Sequence, residues 1–323
     1  MRVGIKIAFA YKKVFTRMNK MQLTKYQFEL LTYIENRSPL VFDKRTISND
    51  ICISSQQITR DFEFLLDKRL VENTGQDKVD ITAKGLEFLE PYRVKKAIIL
   101  AAGFGSRMMP ATSDRPKPMV TVNGRRIIET LLDALRAVDI TDVTIVRGYA
   151  GQKFNELLDK YPYIKFIDNP NYSKFNNISS AILIDQSFKD GAYLCESDLY
   201  ITNPKVITKY QYESNILGSW SLETDDWSFK MDDSGHIKDY QQGNTYCWNY
   251  YGISYWNARD CEKLNHDWLE VFKTDEGKDV FWEQVPLQLN KNNYQVGIRL
   301  CNKSDIMEID NYYELAQLDK SYR

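Results

Sequence analysis

Histidine is almost missing from this sequence, and cysteine is scarce. His236 and His266 are the only histidines among 323 residues, so histidine-rich metal sites and most Ser-His-Asp triads lack their essential residue. The five cysteines form no C-x-x-C pair, which argues against both a zinc site and a disulfide framework. We therefore expect carboxylates to carry any metal, and we expect a reducing cytoplasm as the location.

The chain also lacks an excess of either charge and lacks long apolar runs. Its 43 basic and 44 acidic residues give a formal charge of -1, so no global field attracts nucleic acid or an anionic membrane. No apolar run approaches the roughly 18 residues that a membrane span requires, so we expect no transmembrane helix. Residues 1–20 form a basic N-terminal arm without one acidic residue. We interpret this arm as a frayed leader or an oligomer contact, with membrane or partner binding as the alternative.

The length exceeds that of one usual domain, and the first part of the chain has its own pattern. Within residues 21–93, apolar spacing and turn residues predict helices over 24–35, 46–51, 56–69 and 83–89, with a hairpin over 70–82. This order resembles the winged helix-turn-helix of MarR-like regulators. By that resemblance the third helix enters the major groove of DNA, with reading positions at Ser54, Ser55, Gln56, Gln57 and Arg60.

Electrostatics opposes DNA binding by this winged helix-turn-helix domain. Residues 21–93 contain ten Lys and Arg against twelve Asp and Glu, whereas DNA-binding domains are normally strongly basic. Asp61, Glu63 and Asp67 on the third helix would face phosphates poorly. We therefore favour a dimerisation or regulatory module over DNA binding.

From residue 94 the pattern changes. Residues 96–101 form a continuous apolar run, as in strands that are buried on both faces of a parallel sheet. Further strands are predicted over 142–146, 164–167 and 192–195, alternating with helices over 127–138, 152–161 and 178–187. This alternation predicts a doubly wound, mostly parallel α/β sheet for residues 94–323. Later segments predict short aromatic strands at 227–231 and 250–256, helices at 258–273 and 279–290, and strands at 294–300 and 306–309.

Gly103 and Gly105 follow the first strand of this second half, where backbone N–H groups can approach phosphate oxygens closely. Met108 occupies the place of the third glycine of a dinucleotide-binding fingerprint, and no P-loop motif occurs. The segments Ala101–Arg107 (AAGFGSR) and Pro116–Pro118 (PKP) instead resemble the signature of nucleotide-sugar pyrophosphorylases and their cytidylyltransferase relatives. The resemblance is strongest to LicC-like phosphocholine cytidylyltransferases and spans residues 96–323.

The resemblance implies roles for the charged residues. Arg107 contacts the β and γ phosphates of the nucleotide, and Lys117 contacts the α phosphate, where charge develops during transfer. Asp198 follows a strand at the sheet edge where α/β proteins bind ligands. Asp198 and Asp310 together are predicted to hold one Mg²⁺. The other predicted nucleotide contacts are Leu100, Ala102, Gly103, Gly105, Ser106, Tyr149, Asn177, Ser179 and Glu196.

All six tryptophans lie beyond residue 219. A quaternary ammonium cannot donate hydrogen bonds, so proteins hold it with aromatic faces. The resemblance implies an acceptor site formed by Trp227, Tyr255, Asp279 and Trp282. Asp226 and Glu283 are alternative carboxylates for a cationic head, and about half of the rings are expected to be ordinary core.

The resemblance implies an enzyme that transfers CMP from CTP to phosphocholine, giving CDP-choline and pyrophosphate. No general base is needed, because the acceptor phosphate is already ionised near neutral pH. Phosphoethanolamine, 2-aminoethylphosphonate and a sugar 1-phosphate are alternative acceptors. A transcription regulator that uses residues 94–323 as a ligand sensor is the alternative of another class, and a homodimer is compatible with either.

Overall fold

The computed structural model describes residues 22–323, and the chain divides into two compact units between Arg93 and Val94. The basic arm predicted over residues 1–20 lies outside the described residues. None of the helices within residues 22–323 has both the length and the apolar character to cross a membrane.

The first unit alternates short helices with a small antiparallel sheet in the order β1-β3-β2. Thr24 and Gln27 form a capping box that starts the first helix, and Ser54 caps the third. The cap at Ser54 was predicted from the sequence, whereas the capping box at Thr24 and Gln27 was not. The fold type of this unit stays a prediction. Its elements are α1 (Lys25–Glu35), β1 (Leu40–Val41), α2 (Lys44–Ile51), α3 (Ser55–Asp67), β2 (Val71–Gly75), β3 (Lys78–Ile81) and α4 (Ala83–Leu89).

The second unit is built on a seven-stranded sheet with helices on its faces. The elements before the long hairpin are β4 (Lys96–Ala101), β5 (Thr121–Val122), β6 (Arg125–Arg126), α5 (Ile127–Ala137), β7 (Asp142–Arg147), β8 (Lys165–Asp168), α6 (Ile178–Ala181), β9 (Ala192–Glu196) and β10 (Leu199–Ile201). The later elements are β11 (Asn215–Met231), β12 (Ile237–Trp256), α7 (Ala258–Phe272), β13 (Gly297–Leu300), β14 (Ile306–Glu308) and α8 (Tyr312–Leu318).

The strand order of the main sheet is β13-β11-β12-β9-β4-β7-β8. Every neighbouring pair is parallel except the two that involve β12. This confirms the predicted α/β class with a mostly parallel central sheet. In such sheets ligands bind outside the carboxyl ends of the strands, which here are the ends of β4 and β9.

Strand β4 is an interior strand of the sheet, between β9 and β7, and is buried on both faces. Ala97, Ile99 and Ala101 pack into one hydrophobic cluster, while Ile98 and Leu100 pack into the other. The alternation follows from the two-residue period of a strand. It explains why this strand has an unbroken apolar sequence rather than an alternating one.

Several predicted elements differ from the structure. The helices expected over residues 152–161 and 279–290 are a 3₁₀-helix over Gly151–Asp159 and a short π-helix over Val285–Leu289. The helix expected over residues 178–187 ends at Ala181, and beyond it the N–H groups of Leu183 and Ile184 donate to carbonyls three residues back rather than four. The short aromatic strands expected beyond residue 216 are parts of the long antiparallel pair β11 and β12, which bulges between Thr224 and Trp227.

Candidate active site

A cavity of about 530 Å³ opens at the carboxyl ends of β4 and β9. Its wall includes the glycine loop after β4, the segment around Lys117, and the chain from Glu196 to Asp198. Glu308 and Asp310, which come from the C-terminal part of the sequence, line the same wall. The sequence therefore brings four distant segments to one edge of the sheet.

The glycine loop is held against Lys117 by close backbone packing. Gly105 has φ +61°, and a Cβ added there would lie 2.8 Å from the Cβ of Lys117. The Thr112 hydroxyl donates to the Gly105 carbonyl at 2.9 Å and fixes the loop. Glycine is required at this position for both its conformation and its lack of a side chain. By contrast, Gly103 has open space around it.

Lys117 lies between two carboxylates. Its Nζ donates to Asp198 Oδ2 at 2.9 Å and to Asp310 Oδ1 at 3.0 Å, and Arg107 Nη2 lies 3.1 Å from the same Asp310 oxygen. Burial disfavours the charge on Lys117, but the two carboxylates outweigh burial and raise its pKa. Lys117 is therefore a buried, charged donor at the mouth of the glycine loop.

The meeting of Asp198 and Asp310 follows from strand register. Strands β10 and β14 are antiparallel, with Leu199 opposite Glu308. Asp198 directly precedes β10 and Asp310 lies two residues beyond β14, so the pairing brings both to the same end of the ribbon. The Asp310 backbone N–H donates to Glu314 Oε2 at 2.7 Å, which fixes the turn into α8.

Glu308 adds a third carboxylate that the sequence argument did not assign. Oxygen atoms of Asp198, Glu308 and Asp310 lie within 4.8 Å of one another. Burial and then the charges of Asp198 and Asp310 raise the pKa of Glu308 to about 8. The signal for it was its two-residue spacing from Asp310, since residues two apart in extended chain share a face.

These three residues fit a divalent cation. All their donors are oxygens, which Mg²⁺ prefers. Asp198 Oδ1 is buried and has no hydrogen-bond partner, and a buried acceptor of this kind requires a cation or a donor. The carboxylates expected to share a metal thus lie close enough to do so.

Eight of the nine other predicted nucleotide contacts line the cavity; they are Leu100, Ala102, Gly103, Gly105, Ser106, Asn177, Ser179 and Glu196. Tyr149 does not line it. The Tyr149 hydroxyl donates to the carbonyls of Thr112 and Ser113 at 3.1 and 3.0 Å, and its ring packs against Phe104. Tyr149 therefore supports the glycine loop from outside.

Of the four residues predicted to bind the acceptor, only Trp227 lines the cavity. Trp282 is fully buried between Trp256 and Trp268, with ring centroids 6.3 and 6.0 Å away. Tyr255 packs edge-on against Tyr193 within the core.

Asp279 is exposed and away from the cavity. Its backbone carbonyl accepts a hydrogen bond from Asn176 at 2.8 Å. The neighbouring turn brings Phe281 and Glu283 to the cavity instead.

Glu196 and Glu283 also line the cavity, and each has a tyrosine hydroxyl near it. Tyr250 donates to Glu196 Oε1 at 3.3 Å, and Tyr240 lies 3.4 Å from Glu283 Oε1. Gly252 leaves the room that Glu196 occupies, because a Cβ there would lie 2.6 Å from that side chain.

Burial raises the pKa of both acids. The pKa of Glu283 rises to about 7. The pKa of Glu196 lies well above its ordinary value, because of burial first and then the charge of Glu283. Tyr240 and Tyr250 were not found from sequence, since nothing distinguishes them from the many other aromatic residues of the hairpin.

Comparison with known proteins gives consistent matches. A family model described as nucleotidyl transferase matches residues 96–216. The chain is 33% identical to a 2-aminoethylphosphonate cytidylyltransferase of Lancefieldella rimae, over 70% of this chain and 92% of that protein. It is 28% identical to a choline-phosphate cytidylyltransferase of Streptococcus pneumoniae, over 70% and 97% of the two chains. The solved structure of CTP:phosphocholine cytidylyltransferase from Streptococcus pneumoniae superposes with a TM-score of 0.64 at 26% identity, covering 72% of this chain and all of that one.

Proposed function

The chain belongs to the nucleotidyltransferase family and has cytidylyltransferase activity, and from that premise we propose that its acceptor is a small phosphate or phosphonate with a cationic head. Phosphocholine, 2-aminoethylphosphonate and phosphoethanolamine share this chemistry. The activities named for the two curated relatives above support the proposal. In the cavity, Glu196, Glu283 and the aromatic residues beside them, the proposed acceptor end, complement a cation, and Lys117 and Arg107 complement phosphates.

The observation that carries the proposal is the position of Lys117. Its ammonium is buried between Asp198 and Asp310 beside the glycine loop, with Arg107 adjacent. Cations fixed at such a point stabilise the charge that develops on a phosphate during transfer. A transfer site needs this arrangement, whereas a site that only senses a ligand does not.

The reaction forms a bond between an acceptor oxygen and the α phosphorus of CTP and breaks the bond between the α phosphorus and the bridging oxygen to the β phosphate. Pyrophosphate leaves with that electron pair. Lys117 and Arg107 neutralise the phosphate oxygens, and the glycine loop offers backbone N–H groups to them. Asp198, Glu308 and Asp310 would hold Mg²⁺, which when bound neutralises further phosphate charge. The acceptor is already ionised near neutral pH, so no side chain has to remove a proton.

Phosphocholine, the acceptor expected from sequence, stays one of two leading candidates. The rings of Trp227 and Phe281 line the cavity and are oriented edge to face at 6.2 Å. Two aromatic faces attract a trimethylammonium group. The second candidate, an acceptor with a primary ammonium, is favoured by the carboxylates Glu196 and Glu283.

The proposal is tested by pyrophosphate release from the full chain with Mg²⁺, four NTPs and a panel of acceptors. We expect release with CTP and cationic phosphates or phosphonates, and at least tenfold less with UTP, ATP or a sugar 1-phosphate. A preference for a sugar 1-phosphate, or no release with any cationic acceptor, overturns the proposal.

For residues 22–93 we propose a winged helix-turn-helix that serves dimerisation or regulation. The element order α1-β1-α2-α3-β2-β3-α4 supports the fold. On α3 the exposed charged residues are Arg60, Glu63 and Asp67, a net negative face that suits protein contact better than phosphate contact. Sedimentation of the full chain tests this role, and we expect a dimer; a monomer at tens of micromolar excludes dimerisation and leaves regulation.

A further inference from the structure

Glu283 is a buried acid with a vacant hydrogen-bonding atom at the acceptor end of the cavity. The residue is 3% exposed and lines the cavity. Tyr240 lies near Oε1 and the Asn177 side chain also lies close to the carboxyl group, whereas Oε2 is buried and forms no hydrogen bond of ordinary length and angle. An acceptor atom left in this state costs free energy unless a ligand supplies a donor.

The groups around Glu283 add negative charge and supply no cation. Glu196 is its acidic neighbour in the same wall, and Asp226 lines the cavity on the side of Trp227. Neither Glu196 nor Glu283 forms an ion pair with a lysine or arginine within residues 22–323. Two acids that share a buried wall without a counter-ion are stabilised either by a bound proton, as their raised pKa values indicate, or by an external cation.

The aromatic rings nearby are only partly available to a ligand. Trp227 stacks on Tyr240 with centroids 4.7 Å apart, so each ring covers one face of the other. Tyr240 is 2% exposed, and Tyr250 packs against it at 5.6 Å. A trimethylammonium group needs several bare faces, and of the stacked pair Trp227 and Tyr240 only the outer face of Trp227 remains open to the cavity.

We propose that Glu283 selects the acceptor by accepting a hydrogen bond from a primary ammonium group, so that the preferred acceptors are aminoalkyl phosphates or phosphonates rather than phosphocholine. The inference rests on the proposed function, because it concerns the acceptor end of the same cavity. A primary ammonium has three N–H donors, which match Glu283 Oε2 and the neighbouring Glu196. A trimethylammonium group has none and leaves Oε2 without a partner.

The test compares three acceptors as substrates of the full chain in the presence of CTP and Mg²⁺. 2-Aminoethylphosphonate has a primary ammonium group, phosphocholine has a trimethylammonium group, and ethylphosphonate has no cationic group. We expect kcat/KM for 2-aminoethylphosphonate to exceed that for phosphocholine at least tenfold. Glu283→Gln should lower kcat/KM for 2-aminoethylphosphonate about 10- to 100-fold, as for a lost charged hydrogen bond, and change that for ethylphosphonate less than about threefold.

Glu276→Gln is the matched control, since Glu276 is an exposed acid of the same segment that does not line the cavity. Equal losses with all three acceptors in Glu283→Gln, or a wild-type preference for phosphocholine, overturn the inference. Calorimetric binding of 2-aminoethylphosphonate to both proteins separates this inference from the proposed function. If no acceptor is turned over, the proposed function fails. Even then, a tenfold weaker affinity of Glu283→Gln for 2-aminoethylphosphonate supports the role of Glu283. Equal affinities of the two proteins refute that role.

Discussion

At the scale of single residues, Lys117 is the buried cation on which the proposed transfer chemistry depends most directly. Its charge is maintained in a buried position because Asp198 and Asp310 each accept one of its hydrogen bonds. The same two carboxylates belong to the cluster that fits Mg²⁺. The lysine therefore shares its two acceptors with the proposed metal site, and the substrate phosphates would complete the balance of charge.

Lys117→Met removes the charge and keeps most of the side-chain volume. We expect kcat to fall about 10²- to 10³-fold, the range found when one preorganised charge-stabilising donor is lost. Pyrophosphate release at saturating CTP measures kcat, and circular dichroism in Mg²⁺ checks the fold. Lys153→Met, at an exposed position, serves as the control. Turnover within threefold of wild type in Lys117→Met would show that the lysine has no role in transfer.

Glu283 also makes the stability of the protein depend on pH. Burial raises its pKa from 4.5 to about 7, so between these values the folded protein keeps a proton that the unfolded chain releases. The free energy of unfolding therefore falls as pH rises from 4.5 to about 7. This contribution amounts to at most ~3 kcal/mol.

Urea unfolding without acceptor, at pH 5 and at pH 8, measures this effect. We expect Glu283→Gln to lose less stability than wild type between the two pH values, because its amide does not titrate. Glu276→Gln should behave like wild type. If Glu283→Gln and wild type lose the same free energy, Glu283 does not titrate in the fold as described.

At the scale of elements, the parallel strands and the glycine loop were predictable, and the pairing that completes the site was not. The apolar run of β4 and the AAGFGSR segment after it are local signals. The antiparallel register that sets Leu199 opposite Glu308 links residues more than a hundred positions apart. No local pattern encodes that register, so the contact of Asp198 with Asp310 came only from family resemblance.

The aromatic segments show a second limit of sequence reasoning. Trp227 lines the cavity whereas Trp282 is core, although both come from aromatic-rich stretches of the same unit. The bulge in β11 between Thr224 and Trp227 changes which side chains face inward. A shift of the strand by one residue moves every side chain to the opposite face of the sheet. Amino-acid composition alone therefore could not separate ligand-contacting rings from core rings.

The glycine loop gives a prediction at the element scale. Gly105→Ala puts a Cβ 2.8 Å from the Cβ of Lys117 in a left-handed conformation. Strain and overpacking together should cost about 1–3 kcal/mol, and the displaced loop should lower kcat/KM at least tenfold. Thermal unfolding and pyrophosphate release measure the two effects. Gly103→Ala is the folding control, because open space surrounds Gly103, and equal melting temperatures for the two variants would contradict the packing argument.

At the scale of the whole molecule, the transferase unit and the unit before it have different kinds of surface chemistry. Residues 94–323 concentrate charges of both signs in one cavity, where Lys117 and Arg107 lie with three carboxylates and a second acidic pair also lines the wall. The carboxylates proposed to hold a metal and the cations proposed for transfer lie in residues 94–323. For residues 22–93 the proposed role stays dimerisation or regulation.

DNA binding through α3 is the alternative for the first unit, and Arg60 tests it in the full chain. If α3 read DNA, Arg60→Glu would remove its central cation and weaken binding to duplex DNA well beyond tenfold. We expect no more than a twofold change, because Glu63 and Asp67 already make the exposed face of α3 acidic. Fluorescence anisotropy with wild type and Arg60→Glu at two salt concentrations measures both affinity and its salt dependence. Any binding that depends on the basic residues 1–20 should be equally salt-dependent in both proteins, so only a loss specific to Arg60→Glu would establish DNA recognition by this helix.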